Sequence, residues 1–275
     1  MNPWLEMREV ESVAVVRCDK NGTSTTAQGP PSGTKLRRLD ELQNDVVATV
    51  AHELRTPLTS LGMALQLCLE QTLGPLTRKQ AEVLHAAQDD CARLQTIIDD
   101  LLNLTRLEAG CVAMLPQPIS IASLVQVAIE THRTLAAERG IQIRTALLLN
   151  DGEVSVDVKR VTLVFSNLIA NALQHTPSGG QVTICTRPLD GWIRCEVVDT
   201  GQGIPKKYRR RVFDKYFRAP GAPPGGVGLG LAIAEKIVQG HGGEIGVESE
   251  EGYGSIFWFT LPLAATVTAK TKVTP

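Results

Sequence analysis

"VATVAHELRTPLTS", residues 47–60, sets a histidine beside a glutamate inside an apolar pattern with helical spacing. Val47, Val50, Leu54, Leu58, Leu61, Leu65 and Cys68 fall within about 40° of one line at 100° per residue, which predicts an amphipathic helix from about Leu36 to Gln71. "LGPLT" (73–77) breaks it, and a second helix is expected from about Thr77 to Glu108, with Gly110 just past its end. The second stripe, Leu84, Ala87, Cys91, Leu94, Ile98 and Leu101, has the 3-4 spacing of a coiled-coil seam. Two such helices joined by a short turn make an antiparallel hairpin. One partner cannot cover both stripes, so a homodimer is expected, two hairpins forming a four-helix bundle.

Working outward, the chain has 275 residues, a formal net charge of −1 and 43% hydrophobic residues, enough for one large domain or two modest ones. That charge gives no reason to expect a nucleic-acid partner. Cysteines 18, 68, 91, 111, 185 and 195 show no CxxC pair and no zinc spacing, which suits reduced thiols in a cytoplasmic protein. No apolar run approaches the ~18–20 residues of a membrane helix, so no membrane segment is expected in this chain. Residues 1–35 read as an arm, with a strand-like "VESVAVVR" and a flexible "NGTSTTAQGPPSGT". Residues 36–112 carry the hairpin. After "PQP" (116–118), helical stretches at 121–140 and 157–175 alternate with strand-like runs at 141–148, 181–188, 192–199 and 243–263, so 113–265 reads as a separate α/β domain. Residues 266–275 are expected to be a disordered tail.

His52 admits three readings. It lies about 160° round the helix from Leu54, on the side of Ala48, Thr56 and Thr59, which argues against core packing. A zinc-protease H-E-x-x-H would need histidine where Thr56 stands. An exposed imidazole with a carboxylate neighbour remains, a nucleophile suited to phosphorus. Pro57 removes one helical hydrogen bond and should kink the helix. Alone, this gives a nucleophile without a substrate.

The second domain offers one. "VVDTGQGIP" (197–205) places Asp199 at a strand end, with Gly201 and Gly203 in the turn after it. "GGVGLGLAIAEKIV" (225–238) is a glycine-rich loop running into an apolar helix, where backbone N–H groups and the helix N-terminus favour phosphate. It lacks the Gly-Lys-Ser/Thr ending of a P-loop. "FSNLIANALQHTP" (165–177) places Asn167 and Asn171 at i, i+4 on one face of an otherwise apolar helix.

Taken in order, these motifs resemble those of two-component sensor histidine kinases. "HELRTP" is similar to the H-box, "NLIANALQHTP" to the N-box, "DTGQGIP" and "GVGLGLAI" to the glycine boxes and "VFDKYFR" to the F-box. The likeness spans about 36–264. It implies a helical hairpin forming a dimeric four-helix bundle, followed by an α/β sandwich of the gyrase/Hsp90/histidine-kinase ATPase type. It further implies that His52 accepts the γ-phosphoryl group of ATP, that Glu53 is its base or orienting partner, and that Thr56 positions a water for dephosphorylating a response-regulator receiver domain. Asn171 would hold Mg²⁺, Asn167 would line the phosphates, and Asp199 would accept from the adenine amino group. Gly201 and Gly203 would admit the purine. Phe213 lies in the F-box, and 213–227 would form a lid. Gly226, Gly228 and Gly230 would bracket the phosphates.

The chain departs from the family pattern at Gln174, where Lys or Arg is common, and at Val227, where a small hydroxyl residue is common. The basic run Lys206, Lys207, Arg209, Arg210, Arg211, Lys215 and Arg218 could compensate or simply be solvated. His85, His132, His175 and His241 read as ordinary positions, and Trp192 and Trp258 as core. Two other classes remain at this stage: an ATP-driven conformational clamp, and a dimeric scaffold with a degenerate site. A protein acting mainly as a phosphatase through Thr56 is a third variant.

Overall fold

The computed structural model describes residues 32–109, 113–147, 152–221 and 226–264, and for 32–48 and His52 the backbone alone. The strand-like "VESVAVVR", its linker and the tail lie outside the described residues. Two compact units divide the chain, Met1–Arg38 and Leu39–Pro275, and of the first only helical backbone from Ser32 onward is described.

Helix α1 (Ser32–Leu69) contains Pro57 and continues past it. Gln71 and Gly74 take positive φ of 57° and 123° to turn the chain. Helix α2 (Arg78–Glu108) then starts with a reciprocal capping box, in which Thr77 and Gln80 satisfy each other's backbone N–H groups. The helices are antiparallel. Ala51 and Leu58 pack with Ile98 and Leu102, and the Cys91 Sγ–H donates to the Leu58 carbonyl at 3.3 Å. The seam along α1 therefore runs through Ala51 and Leu58; Leu58 lies on the predicted line and Ala51 beside it. Val50, Leu54 and Leu61 of that line stay about half exposed, at 51%, 47% and 51%, as does Leu94 of α2 at 48%.

The rest is a mixed sheet with helices on one face. Strand β1 (Gln117–Ser120) leads into α3 (Ile121–Glu138) and β2 (Gln142–Ala146); β3 (Glu153–Val156) leads into α4 (Val158–His175). Then come β4 (Gln181–Leu189), β5 (Trp192–Asp199), α5 (Gly230–Gly240), β6 (Ile245–Glu250) and β7 (Gly254–Pro262). The five-stranded sheet has the order β2-β4-β5-β7-β6, with β2 parallel to β4 and the other pairs antiparallel; β1 and β3 form a separate antiparallel ribbon. Neither strand of that ribbon was expected, because four residues are too few to show a period.

The alternation of β4 and β5 sends Val182, Ile184, Ile193, Cys195 and Val197 inward against Leu168, Ile169 and Leu173 of α4 and Ile233 and Ile237 of α5. Phe165 of α4 meets Phe259 of β7 edge-on at 4.9 Å. The opposite sheet face is polar. There Arg194 pairs with Glu196 at 2.8 Å and Glu248 at 2.7 Å, and its guanidinium lies 4.3 Å from the Trp258 ring centroid. Trp192 and Trp258 were expected in the core. They belong instead to this outward face, because strand alternation gives them the parity of Arg194 and Gly246. Trp258 Nε1 is buried there, and among the described residues it has no hydrogen-bond partner.

The α/β core does not stop at its own helices. Leu104 of α2 is buried within it at 2% exposure, with Leu101 and Leu107 packed alongside, so the packing runs across the 112/113 boundary expected from sequence.

Candidate functional site

Helix α4 has two sides with different work. Leu168, Ile169, Ala172 and Leu173 are buried on the sheet, while Asn167, Ala170, Asn171, Gln174 and His175 line a cavity of about 490 Å³. Opposite them the cavity is closed by Gly203 to Pro205, by residues 217–221 and by Gly226 to Leu231. Ser255 and Phe257 of β7 and the carboxyl of Asp199 line it too.

Asp199 ends β5 and is 4% exposed. Its Oδ1 accepts from the Gly201 N–H at 2.8 Å and the Ser255 N–H at 3.3 Å, and the Ser255 hydroxyl also bonds the carboxyl. Burial nevertheless dominates these bonds and pushes Asp199 up to about 6. The result is an oriented acceptor held in a low-dielectric wall.

The glycines divide by what their missing Cβ would touch. At Gly203 (φ +69°) it would sit 1.9 Å from the Glu250 carbonyl oxygen, and at Gly228 (φ +80°) 2.7 Å from that of Phe217. At Gly201 it would lie 2.4 Å from the His175 carbonyl and 2.8 Å from Asp199 Oδ1. These three are small for the sake of the protein's own backbone, and Gly201 is buried behind the cavity and is not one of its walls. Gly226 differs: among the described residues nothing lies within 4 Å of its Cβ position. Gly230 opens α5 and packs on Asn167, whose Nδ2 donates to the Gly230 carbonyl at 2.9 Å. Asn167 thus fixes the start of α5, whose first N–H groups have no helical partner. Asn171 is half-buried on the cavity wall.

Phe213 is not among the cavity walls. It packs on Phe257 with ring centroids 6.4 Å apart, and so stiffens the base of the segment that carries the wall residues 217–221. Part of the expected lid, 222–225, lies outside the described residues. Within the basic run, Arg218 lines the cavity, whereas Lys206, Lys207 and Arg210 are exposed away from it.

Glu53 and Thr56 are exposed on α1 and are not walls of the cavity. Arg55, one turn on from Ala51, pairs with Asp99 of α2. The next residue of α2, Asp100, is a cavity wall. Residues 98–102 of α2 therefore meet the His52-bearing turn of α1 on one side and the cavity on another. Sequence reasoning missed Asp100, because nothing in a helix sequence announces contact with a separate domain. It also set His175 aside, although i+4 from Asn171 puts it on the same helical face. Burial and the Arg218 charge lower His175, and its Nδ1 lies 3.1 Å from Gln202 Nε2. His241 is a satisfied structural residue: the Asp157 N–H donates to Nε2 at 2.9 Å, and Nδ1–H donates to the Ile237 carbonyl at 2.8 Å.

A mixed sheet under helices, with a cavity between an asparagine-bearing helix and a glycine-rich loop, defines the class of gyrase-, Hsp90- and histidine-kinase-like ATPase domains. The family model "Histidine kinase-, DNA gyrase B-, and HSP90-like ATPase" matches residues 156–265, and "His Kinase A (phospho-acceptor) domain" matches 42–110. The chain belongs to the two-component sensor histidine kinase family. It is 32% identical over 236 residues to the alginate biosynthesis sensor protein KinB of Pseudomonas aeruginosa, covering 84% of this chain and 38% of KinB. It is 34% identical over 236 residues to the sensor histidine kinase WalK of Bacillus subtilis, covering 83% and 38%. The chain thus spans well under half the length of these relatives. Among solved structures, full-length ShkA in complex with AMPPNP is similar at 31% identity and a TM-score of 0.67, over 80% of this chain and 46% of ShkA. No helix of the described residues is long and apolar enough to cross a membrane.

Proposed function

We propose that the chain is an ATP-dependent, autophosphorylating protein-histidine kinase acting in the cytoplasm, with His52 as phosphoryl acceptor and the cavity as the ATP site. The observation that carries this reading is that the α2 stretch packed against the phospho-acceptor helix also walls the cavity. Acceptor and donor are then neighbours, and phosphoryl transfer is chiefly positioning plus charge neutralisation.

In this reading Asp199 accepts a hydrogen bond from the adenine amino group, and the N–H groups at the start of α5 face the phosphates. The unprotonated ring nitrogen of His52 attacks the γ-phosphorus, a nitrogen–phosphorus bond forms, and the bond to the bridging oxygen breaks to release ADP. Glu53 orients the ring and takes the proton from its other nitrogen. Arg218 on the cavity rim offsets phosphate charge.

The donor set fits a magnesium ion that arrives with the nucleotide. Among the described residues no cluster of His, Cys, Asp or Glu could hold a metal by itself, and the Asn171 amide oxygen is a neutral, hard donor on the wall. Bound there, Mg²⁺ would neutralise phosphate charge. The phosphoryl group then passes to an aspartate of a response-regulator receiver domain, and Thr56 serves the reverse dephosphorylation. Two hairpins pair through the exposed Val50, Leu54, Leu61 and Leu94. The structural boundaries proposed are 36–112 for the hairpin and 113–265 for the ATP-binding domain.

The test is incubation with γ-labelled ATP. Acid-labile, base-stable label is expected on the wild type and none on His52→Gln. Label persisting in that variant overturns the assignment.

A further inference from the structure

Among the described residues three carboxyl groups line the cavity: Asp100, Asp199 and Glu251. Along α4 the cavity runs from His175 to Asn167, about 12 Å at the helical rise. Asp199 and Glu251 stand at the His175 end. Gly201, whose N–H donates to Asp199, lies against the His175 carbonyl, and the turn carrying Glu251 is tied to Gln202, whose carbonyl accepts from the Gly252 N–H at 2.7 Å. The Asn167 end is where α5 begins, through the bond to the Gly230 carbonyl. Helix α2 packs on α5, so Asp100 enters the cavity from the side of α5, away from the other two carboxyls.

The N–H groups at the start of α5 suit phosphates, but a carboxylate beside phosphates is repelled unless a cation lies between them. Asp99 pairs with Arg55 of α1, whereas among the described residues no ion pair or hydrogen bond reaches Asp100. Burial and the Asp99 charge disfavour its ionised form and push it up to about 6. Mg²⁺ is a hard ion, usually held by one or two carboxylates together with substrate phosphates. Asn171 supplies only a neutral oxygen, and Asp199 is committed to the Gly201 and Ser255 N–H groups. Asp100 is the carboxylate left to serve the metal.

We infer that Asp100, contributed by the hairpin, is a second protein donor to the Mg²⁺ that accompanies ATP, beside Asn171. The inference rests on the reading of the cavity as an ATP site. With the metal present, the Asp100 carboxylate adds to the affinity for nucleotide; with the metal absent, the same carboxylate opposes the phosphates. The site is then complete only while α2 lies against α5. That is the arrangement in which residues 98–102 also pack on the His52-bearing turn, so one stretch of helix serves both the metal and the acceptor.

The measurement is calorimetric titration of the full chain with AMPPNP, once with Mg²⁺ and once with EDTA. Asp100→Asn keeps the shape of the side chain and removes a half-buried charge, so the variant should fold. It is expected to lose about tenfold of the affinity that Mg²⁺ adds in the wild type. Metal-free AMPPNP should bind the same variant more tightly, by up to about fivefold, because the repulsion is gone. A merely structural role would move both affinities in one direction. Asp99→Asn removes a charge one residue away and should keep the gain from Mg²⁺ within about twofold. AMPPNP that binds Asp100→Asn with the full gain from Mg²⁺ overturns the inference and leaves the ATP site standing. An equal loss in Asp99→Asn assigns the effect to the general field of the helix and overturns it too. Failure of AMPPNP to bind the wild type under either condition overturns the ATP site, and the inference with it.

Discussion

Asp199 shows how a buried carboxyl costs the protein that holds it. Its value in the folded state, about 6, lies above the ordinary 3.8, so the folded chain holds its proton more tightly than the unfolded chain does. By linkage, its contribution to stability is fully present below 3.8 and is lost as the pH rises to about 6. Replacing it by Asn keeps an oxygen for the Gly201 and Ser255 N–H groups and removes the buried charge. Asp199→Asn should therefore raise stability at pH 7 by roughly 1 kcal/mol. The same change should lower ATP affinity at least tenfold, since the amide is a weaker acceptor than the carboxylate. Thermal unfolding and nucleotide titration on one preparation check both halves. In the wild type, ATP affinity should hold from pH 8 to 7 and fall as the pH drops through about 6, where Asp199 gains its proton.

At the scale of elements, the glycine boxes separate into two kinds. Gly203→Ala must force a methyl to 1.9 Å from the Glu250 carbonyl at a positive φ, and should cost at least about 2 kcal/mol of stability. Gly226→Ala meets nothing within 4 Å among the described residues and should change stability by no more than about 0.5 kcal/mol. If Gly226 is small for the ligand's sake, its loss will instead appear in ATP affinity. Denaturant melts and nucleotide titration separate the two. The sequence showed both as glycines beside helices or strands and could not sort them, because the atoms that exclude a side chain at Gly203 come from Glu250, 47 residues on. Elements with a clear period were legible: the two hairpin helices, α4 with its asparagine pair, and the runs that became β4, β5 and β7. The seam of the hairpin was legible only in part. Leu58 lay on the predicted stripe, but so did the exposed Val50 and Leu54, whereas the buried Ala51 did not, and only the partner helix decides which of them it covers.

For the whole molecule, the apolar surface left on the hairpin argues for a second copy. Leu54 and Leu61 remain 47% and 51% exposed although both lie in the expected stripe, and Val50, within about 40° of Leu54 round the helix, adds 51%. A contiguous apolar face of this kind marks an interface. Leu54→Glu combined with Leu61→Glu should convert a dimer to a monomer at micromolar concentration. Sedimentation velocity reads the outcome, and a wild type that sediments as a monomer at 10 times that concentration would sink the bundle. The same double variant should leave the α/β region folded, since neither leucine touches its core.

The leucines at the end of α2 also bear on how such kinases are cut and rejoined. A graft that takes the hairpin from one protein and the ATP-binding region from another, spliced in the loop after Glu108, would carry the wrong side chains to the pocket that holds Leu104. The splice that respects the packing falls inside the helix, upstream of Leu101, so that the last two turns travel with the sheet. By this measure the modules overlap, and the chain's natural seam for recombination is a turn of helix and not a linker.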